Sequence, residues 1–131
     1  MIDAAKLLKD LRLVLRTLED DMREHADSSA FVCFVGHSHV PGVFYEDGRF
    51  YRPKGSEGPY DLGDLESNHA IVNVGSVGQP RDGDARLSYV VFDGRNVTFV
   101  RLEYPFEETQ AEIRAVPELP NYLADRLGVG Q

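Results

Sequence analysis

Phe34-Val35-Gly36-His37-Ser38-His39-Val40-Pro41 sets two imidazoles two residues apart directly after an apolar run, residues 31–35. The glycine before the first histidine permits a tight turn, and both rings can then face one side and offer neutral nitrogen ligands to a metal ion. By itself the His-x-His spacing fits a pair of ordinary loop histidines equally well. A second segment, Asn73-Val74-Gly75-Ser76-Val77-Gly78-Gln79-Pro80-Arg81-Asp82-Gly83-Asp84-Ala85-Arg86, also follows an apolar run, residues 70–74. Its glycines let backbone amides approach an anion closely, and Arg81 or Arg86 can pair with phosphate oxygens. Alone, that segment reads first as a long loop with a structural arginine–aspartate pair.

Between and beyond the two segments the pattern is one of short β-rich runs. Residues 43–46 and 49–52 flank Asp47-Gly48, a dipeptide suited to the positive backbone angles of a two-residue hairpin turn. Residues 87–92 and 97–102 flank Asp93-Gly94 and form a second hairpin, with Arg95 and Asn96 lengthening the connection. Residues 53–68 carry three glycines and two prolines and read as a surface excursion. Helical spacing returns over residues 106–116, and residues 121–127 suit a last short helix stopped by Gly128. Upstream, Leu7, Leu8, Leu11, Val14, Leu15, Leu18 and Met22 recur at three- and four-residue steps, which predicts an amphipathic helix within residues 1–30. That stripe suits core packing, or a short coiled-coil-like dimer contact. The order of helix, hairpins and terminal helices predicts an α+β fold in a single domain over residues 1–131, with 1–30 helical and 31–131 β-rich.

The 131 residues are 42% hydrophobic and 27% charged, a composition that buries a modest core. A formal charge of -8 repels a polyphosphate backbone and argues against general nucleic-acid binding. No apolar run reaches the roughly 20 residues of a membrane span, and the N-terminal stretch lacks the apolar block of a signal peptide. The single cysteine, Cys33, excludes an intramolecular disulfide, sits among apolar neighbours that suggest burial, and suits a reducing cytoplasm. Asn96-Val97-Thr98 matches a glycosylation acceptor but reads as hairpin turn chemistry, and His25 suits a helix C-terminus.

Taken together and in order, Gly36-His37-Ser38-His39-Val40-Pro41 and Asn73-Val74-Gly75-Ser76-Val77-Gly78-Gln79-Pro80-Arg81 resemble the C-terminal motifs of the calcineurin-like metallophosphoesterases, in particular their bacterial and archaeal phosphodiesterase branch. The ending Leu119-Pro120-Asn121-Tyr122-Leu123-Ala124-Asp125-Arg126-Leu127 is similar to that branch as well, so the resemblance spans most of residues 31–130. Ser38 stands where threonine is commoner and Val74 where proline is commoner. The resemblance implies the C-terminal half of a β-sandwich, supplying most of only one of its two sheets. It implies that His37 and His39 ligate different ions of a dinuclear Mn, Fe or Zn centre that hydrolyses phosphate esters, with Asn73, Gly75, Ser76 and Arg81 in the phosphate or substrate loop.

The family's carboxylate motifs, Asp-x-His, Gly-Asp-x-x-Asp and Gly-Asn-His-Asp/Glu, precede that part of the chain and have no counterpart in this sequence. Gly63-Asp64-Leu65-Glu66-Ser67 and Asn68-His69 lie between the two motifs rather than before them, and Asp64 and His69 read as solvated loop residues. Two divalent ions carry four positive charges, and two neutral imidazoles cannot offset their repulsion. The expectation is at most one weakly bound ion and no activity from the chain alone. It then serves either as part of a phosphoesterase completed by a chain supplying the N-terminal half, or as a non-catalytic binding or assembly module. The uncovered face of a lone sheet further predicts a homodimer.

Overall fold

The computed structural model describes residues 32–131, which fall within one unit, Phe31–Gln131. The amphipathic helix expected over residues 1–30 lies outside the described residues. Seven strands follow in chain order: β1 (Val32–Val35), β2 (Gly42–Tyr45), β3 (Phe50–Tyr51), β4 (Glu57–Asp61), β5 (Ala70–Asn73), β6 (Leu87–Phe92) and β7 (Asn96–Leu102). Two short helices come after them, α1 (Phe106–Arg114) and α2 (Tyr122–Asp125), and a 3-10 turn, Arg126–Val129, closes the chain. The architecture is the mixed α+β arrangement that the sequence pattern predicts.

The strands form two sheets, ordered β1-β5-β2-β3 and β4-β7-β6. In β7 the alternation buries Val97, Phe99 and Arg101 and turns Thr98, Val100 and Leu102 outward. Val97 and Phe99 join Val43, Ala70 and Val72 of the other sheet, together with Leu62, in one hydrophobic cluster. Each of these larger apolar side chains contributes about 1.5–3 kcal/mol by leaving water. The inner face of the β1-β5-β2-β3 sheet is therefore covered by a second sheet from the same chain, which corrects the expectation that the chain supplies most of only one. At one margin, the Phe34 and Phe92 rings meet edge to face at 5.3 Å and stay partly exposed.

One strand lies where the sequence reads as loop. Residues 53–68 contain β4, which pairs antiparallel with β7 and shifts register between Glu57 and Tyr60. Its Gly-Pro step is tolerated because β4 is an edge strand, where one row of amides needs no ladder partner. From this edge an aromatic series runs between the sheets, with Tyr45–Tyr51 at 5.9 Å, Tyr51–Tyr60 at 5.6 Å and Tyr60–Phe99 at 5.9 Å between ring centroids. Burial first, and then a hydrogen bond to Glu57, pushes the Tyr60 phenol up to about 12.

The β2–β3 turn also differs from its reading. Gly48 N–H donates to the Tyr45 carbonyl at 2.9 Å and Tyr45 N–H to that of Arg49 at 3.0 Å, so the loop has three residues, with only Gly48 at positive φ. Such loops pair a type I turn with a left-handed glycine. The β6–β7 hairpin forms as expected except that β7 begins one residue earlier, at Asn96, and the Asp93 carboxylate accepts the amides of Arg95 and Asn96. The chain end turns at Gly130, φ 65°, rather than Gly128. Cys33 is half-buried rather than enclosed.

Candidate metal and phosphate site

Sequence distance separates the two motifs, and one strand pairing removes it. β1 and β5 run parallel, Val32 opposite Ala70 through Val35 opposite Asn73, so the loops that follow them leave the same edge of the sheet side by side. Val74 N–H continues this ladder to the Val35 carbonyl at 3.0 Å, a bond that proline at that position would forbid.

Immediately beyond the ladder, His37 and His39 take φ values of 65° and 59°, the left-handed region that side-chain-bearing residues rarely occupy. Ser38 N–H donates to the Gly36 carbonyl at 2.8 Å, closing a tight three-residue turn around His37. The histidines themselves, not Gly36, carry the unusual conformation. Each such residue costs on the order of 1–2 kcal/mol and persists only where its surroundings determine it.

Those surroundings come from the second motif. His39 Nδ1 lies 2.7 Å from the Gln79 carbonyl oxygen. A carbonyl only accepts, so Nδ1 carries the proton, and in the neutral ring Nε2 then keeps its lone pair, the arrangement that second-shell carbonyls impose on metal-binding histidines. Arg81 N–H donates to the His39 carbonyl at 3.2 Å. Asn73 is buried and donates through Nδ2 to the Gly36 carbonyl and to Ser38 Oγ, each at 2.8 Å, while its Oδ1 accepts Gly75 N–H at 3.0 Å. It therefore braces one motif against the other. His37 is exposed, and its ring makes no hydrogen bond among the described residues.

The remaining loop is largely bonded to itself. Ser76 Oγ accepts the amides of Gly78 at 3.3 Å and Gln79 at 2.8 Å. Arg81 Nη2 donates to Gln79 Oε1 at 2.8 Å, and its Nε is buried without a hydrogen-bond partner among the described residues. Arg86 is engaged by Asp84 at 2.7 Å, and this guanidinium holds the Asp84 carboxyl below its ordinary range.

Two participants escape a reading of motifs alone. Arg101 is 5% exposed, forms an ion pair with the buried Asp82 carboxylate, and donates through Nη1 to the Arg86 carbonyl at 3.0 Å. Ser88 is equally buried and donates from N to the Ser76 carbonyl at 2.7 Å and from Oγ to that of Val74 at 3.0 Å. The signal for both was parity: each stands at an inward position of an alternating strand, where an apolar residue is the default.

Asp64 serves its own turn by accepting Glu66 N–H at 3.0 Å, and His69 Nδ1 lies 2.9 Å from Glu46 in another loop. Among the described residues no three histidine, cysteine, aspartate or glutamate side chains converge as a metal-binding group. The donor set thus fits a metal in part. His39 has the tautomer of a ligand and His37 a ring without a hydrogen bond among the described residues, while the carboxylates of a dinuclear centre have no source in this set.

Among the proteins to which the chain is similar are the following, each matched over part of its length. A metallophosphoesterase from Sphaerobacter thermophilus shares 42% identity and superposes with a TM-score of 0.65, covering 77% of this chain and 43% of that one. An uncharacterized protein of Methanocaldococcus jannaschii is 37% identical over 114 residues, covering 86% of this chain and 43% of the relative. No family model matches. The chain spans less than half the length of either relative, and its fold is that of part of a metallophosphoesterase. No helix among the described residues is long and apolar enough to cross a membrane.

Proposed function

We propose that this chain is the C-terminal portion of a metal-dependent phosphoesterase of the bacterial and archaeal phosphodiesterase branch, contributing His37 and His39 to a dinuclear Mn, Fe or Zn centre. The observation that carries the reading is the pair of left-handed histidines, one with Nδ1 held by Gln79 and its Nε2 free. Strain maintained at two neighbouring imidazoles has an evident use if their nitrogens must point at metal. A bound divalent metal supplies Lewis-acid chemistry to a phosphate ester. The residues of this chain do the rest of their share by position. His39 and His37 offer ring nitrogens, Asn73 fixes the turn that carries them, and the Arg81 amide bonds the same turn while its guanidinium, held by Gln79 Oε1, is the cation of this loop for an anionic substrate.

Turnover needs carboxylates, and the partner that fits is a polypeptide supplying the N-terminal half of the centre. A second copy of this chain, paired as a homodimer in the cytoplasm, would add more imidazoles without that charge balance. The chain alone holds at most one ion, weakly. Mn2+ and Zn2+ titration of the purified chain, followed by a generic phosphodiester assay with and without a protein carrying the N-terminal motifs, tests the reading. Weak binding lost in His39→Ala, with turnover only in the mixture, is expected. Robust turnover by the chain alone, abolished by His37→Ala, would overturn it.

A further inference from the structure

The backbone carbonyl that orients His39 is itself held from elsewhere. Gln79 presents its carbonyl from the middle of the residues 74–86 loop, which carries no regular secondary structure. Ser76 and Arg81 hold Gln79 locally, and fixing both ends of the loop gives that local frame its place against β1. Ser88 on β6 and Arg101 on β7 are direct cross-strand neighbours, and both point to the inner face of their sheet.

Ser88 takes the entry of the loop. Its two bonds go to the carbonyls of Val74 and Ser76, and Gly75 between them packs so closely that an added Cβ would lie 2.7 Å from the Ser88 Cβ. Arg101 takes the exit through the Asp82 carboxylate and the Arg86 carbonyl. Side-chain exposures of 1% for Arg101 and 6% for Asp82 mean that removing either charge strands the other away from water. Tyr104 adds a bond to the Gly78 carbonyl at 2.9 Å, and Gly83 N–H donates to the Gly130 carbonyl at 2.9 Å.

We propose that the Ser88–Arg101 cross-strand pair is a positioning device: by clamping the two ends of the residues 74–86 loop it aims the Gln79 carbonyl and so sets the Nδ1–H tautomer of His39 for metal capture. The metal-capture half of this statement rests on the proposed role of His39 as a ligand, and the tautomer half does not.

The test uses long-range 15N–1H NMR of the histidine rings in the whole chain, recorded above the pH at which they protonate, together with Zn2+ affinity by competition against a chromophoric chelator. Wild type, Arg101→Lys, Arg101→Met, Ser88→Ala and the charge-removing double variant Asp82→Asn/Arg101→Met are compared, with thermal unfolding to establish that each is folded. Wild type is expected to show His39 protonated on Nδ1. Arg101→Met, or the double variant where the single one fails to fold, loses that signature and binds Zn2+ about tenfold more weakly, as other outer-shell changes do. Ser88→Ala moves in the same direction, and Arg101→Lys recovers part of both readouts. Folded Arg101→Met or double-variant protein that keeps the wild-type His39 tautomer overturns the clamp. Wild-type protein with the expected tautomer but no Zn2+ at His39 overturns the ligand reading and leaves the clamp standing.

Discussion

Left-handed backbone is handled in two ways in this molecule. At Gly48, φ 88°, and Gly94, φ 101°, hairpin turns assign it to glycine, with no described residue within 4 Å of where a Cβ would stand. At His37 and His39 the same region is occupied by residues with a Cβ, two positions apart, immediately after a strand. A turn that only reverses the chain selects the residue for which the conformation costs least. A turn that must present a particular ring accepts the cost, and neighbours such as Asn73 then hold it in place. Positive φ alone therefore does not distinguish the regions; the identity of the residue bearing it does.

Four substitutions probe that contrast by chemical denaturation or acid titration. The largest effect belongs to Gly75→Ala, where positive φ coincides with contact: strain joins a clash at 2.7 Å with Ser88, and a loss of about 3 kcal/mol is expected. Gly48→Ala isolates the backbone cost, because nothing among the described residues lies within 4 Å of the new methyl, and about 1 kcal/mol should be lost. His37→Gly reverses the sign. Relief of the left-handed penalty outweighs the added chain entropy of glycine, for a gain of up to about 1 kcal/mol, while Zn2+ binding weakens. A loss of stability there would show that the His37 turn is not strained and would erase the contrast.

The smallest effect concerns a turn held by charge. Arg95 makes bonds of 2.9 and 2.8 Å to the two Asp61 oxygens, and these, with the Gly63 amide, hold that carboxyl down at about 2. A carboxyl pKa depressed by folding stabilises above its ordinary value near 4 and loses that contribution as pH falls toward 2. Arg95→Ala should therefore lower the melting temperature slightly at neutral pH, with the difference from wild type shrinking between about pH 4 and 2. A difference that stays constant through that range would assign it to packing rather than charge.

The histidine turn and its partner loop were legible because their residue types are chemically specific and contiguous. The β6–β7 hairpin was legible because Val97 and Phe99 alternate with polar positions and Asp93 announces the turn. β4 was not, because Glu57, Gly58, Pro59 and Asp61 offer no apolar alternation and its place is decided by pairing with β7. Nor does local sequence state that β1 and β5 are parallel neighbours, although that pairing assembles the site. Arg101 was in view as a charge in an alternating strand, but its partner Asp82 lies 19 residues away, and only the fold joins them.

The aromatic series from Tyr45 through Tyr51 and Tyr60 to Phe99 has an optical consequence. The chain contains no tryptophan, so its intrinsic emission is that of tyrosine, and three of its six tyrosines stand in this series at centroid spacings below 6 Å. Chromophores so close and fixed in orientation exchange excitation, which depolarises their emission and gives a near-ultraviolet dichroism that vanishes when the sheets separate. A tryptophan carried by any associating protein would stand out against this background, so binding could be followed without a label on either component.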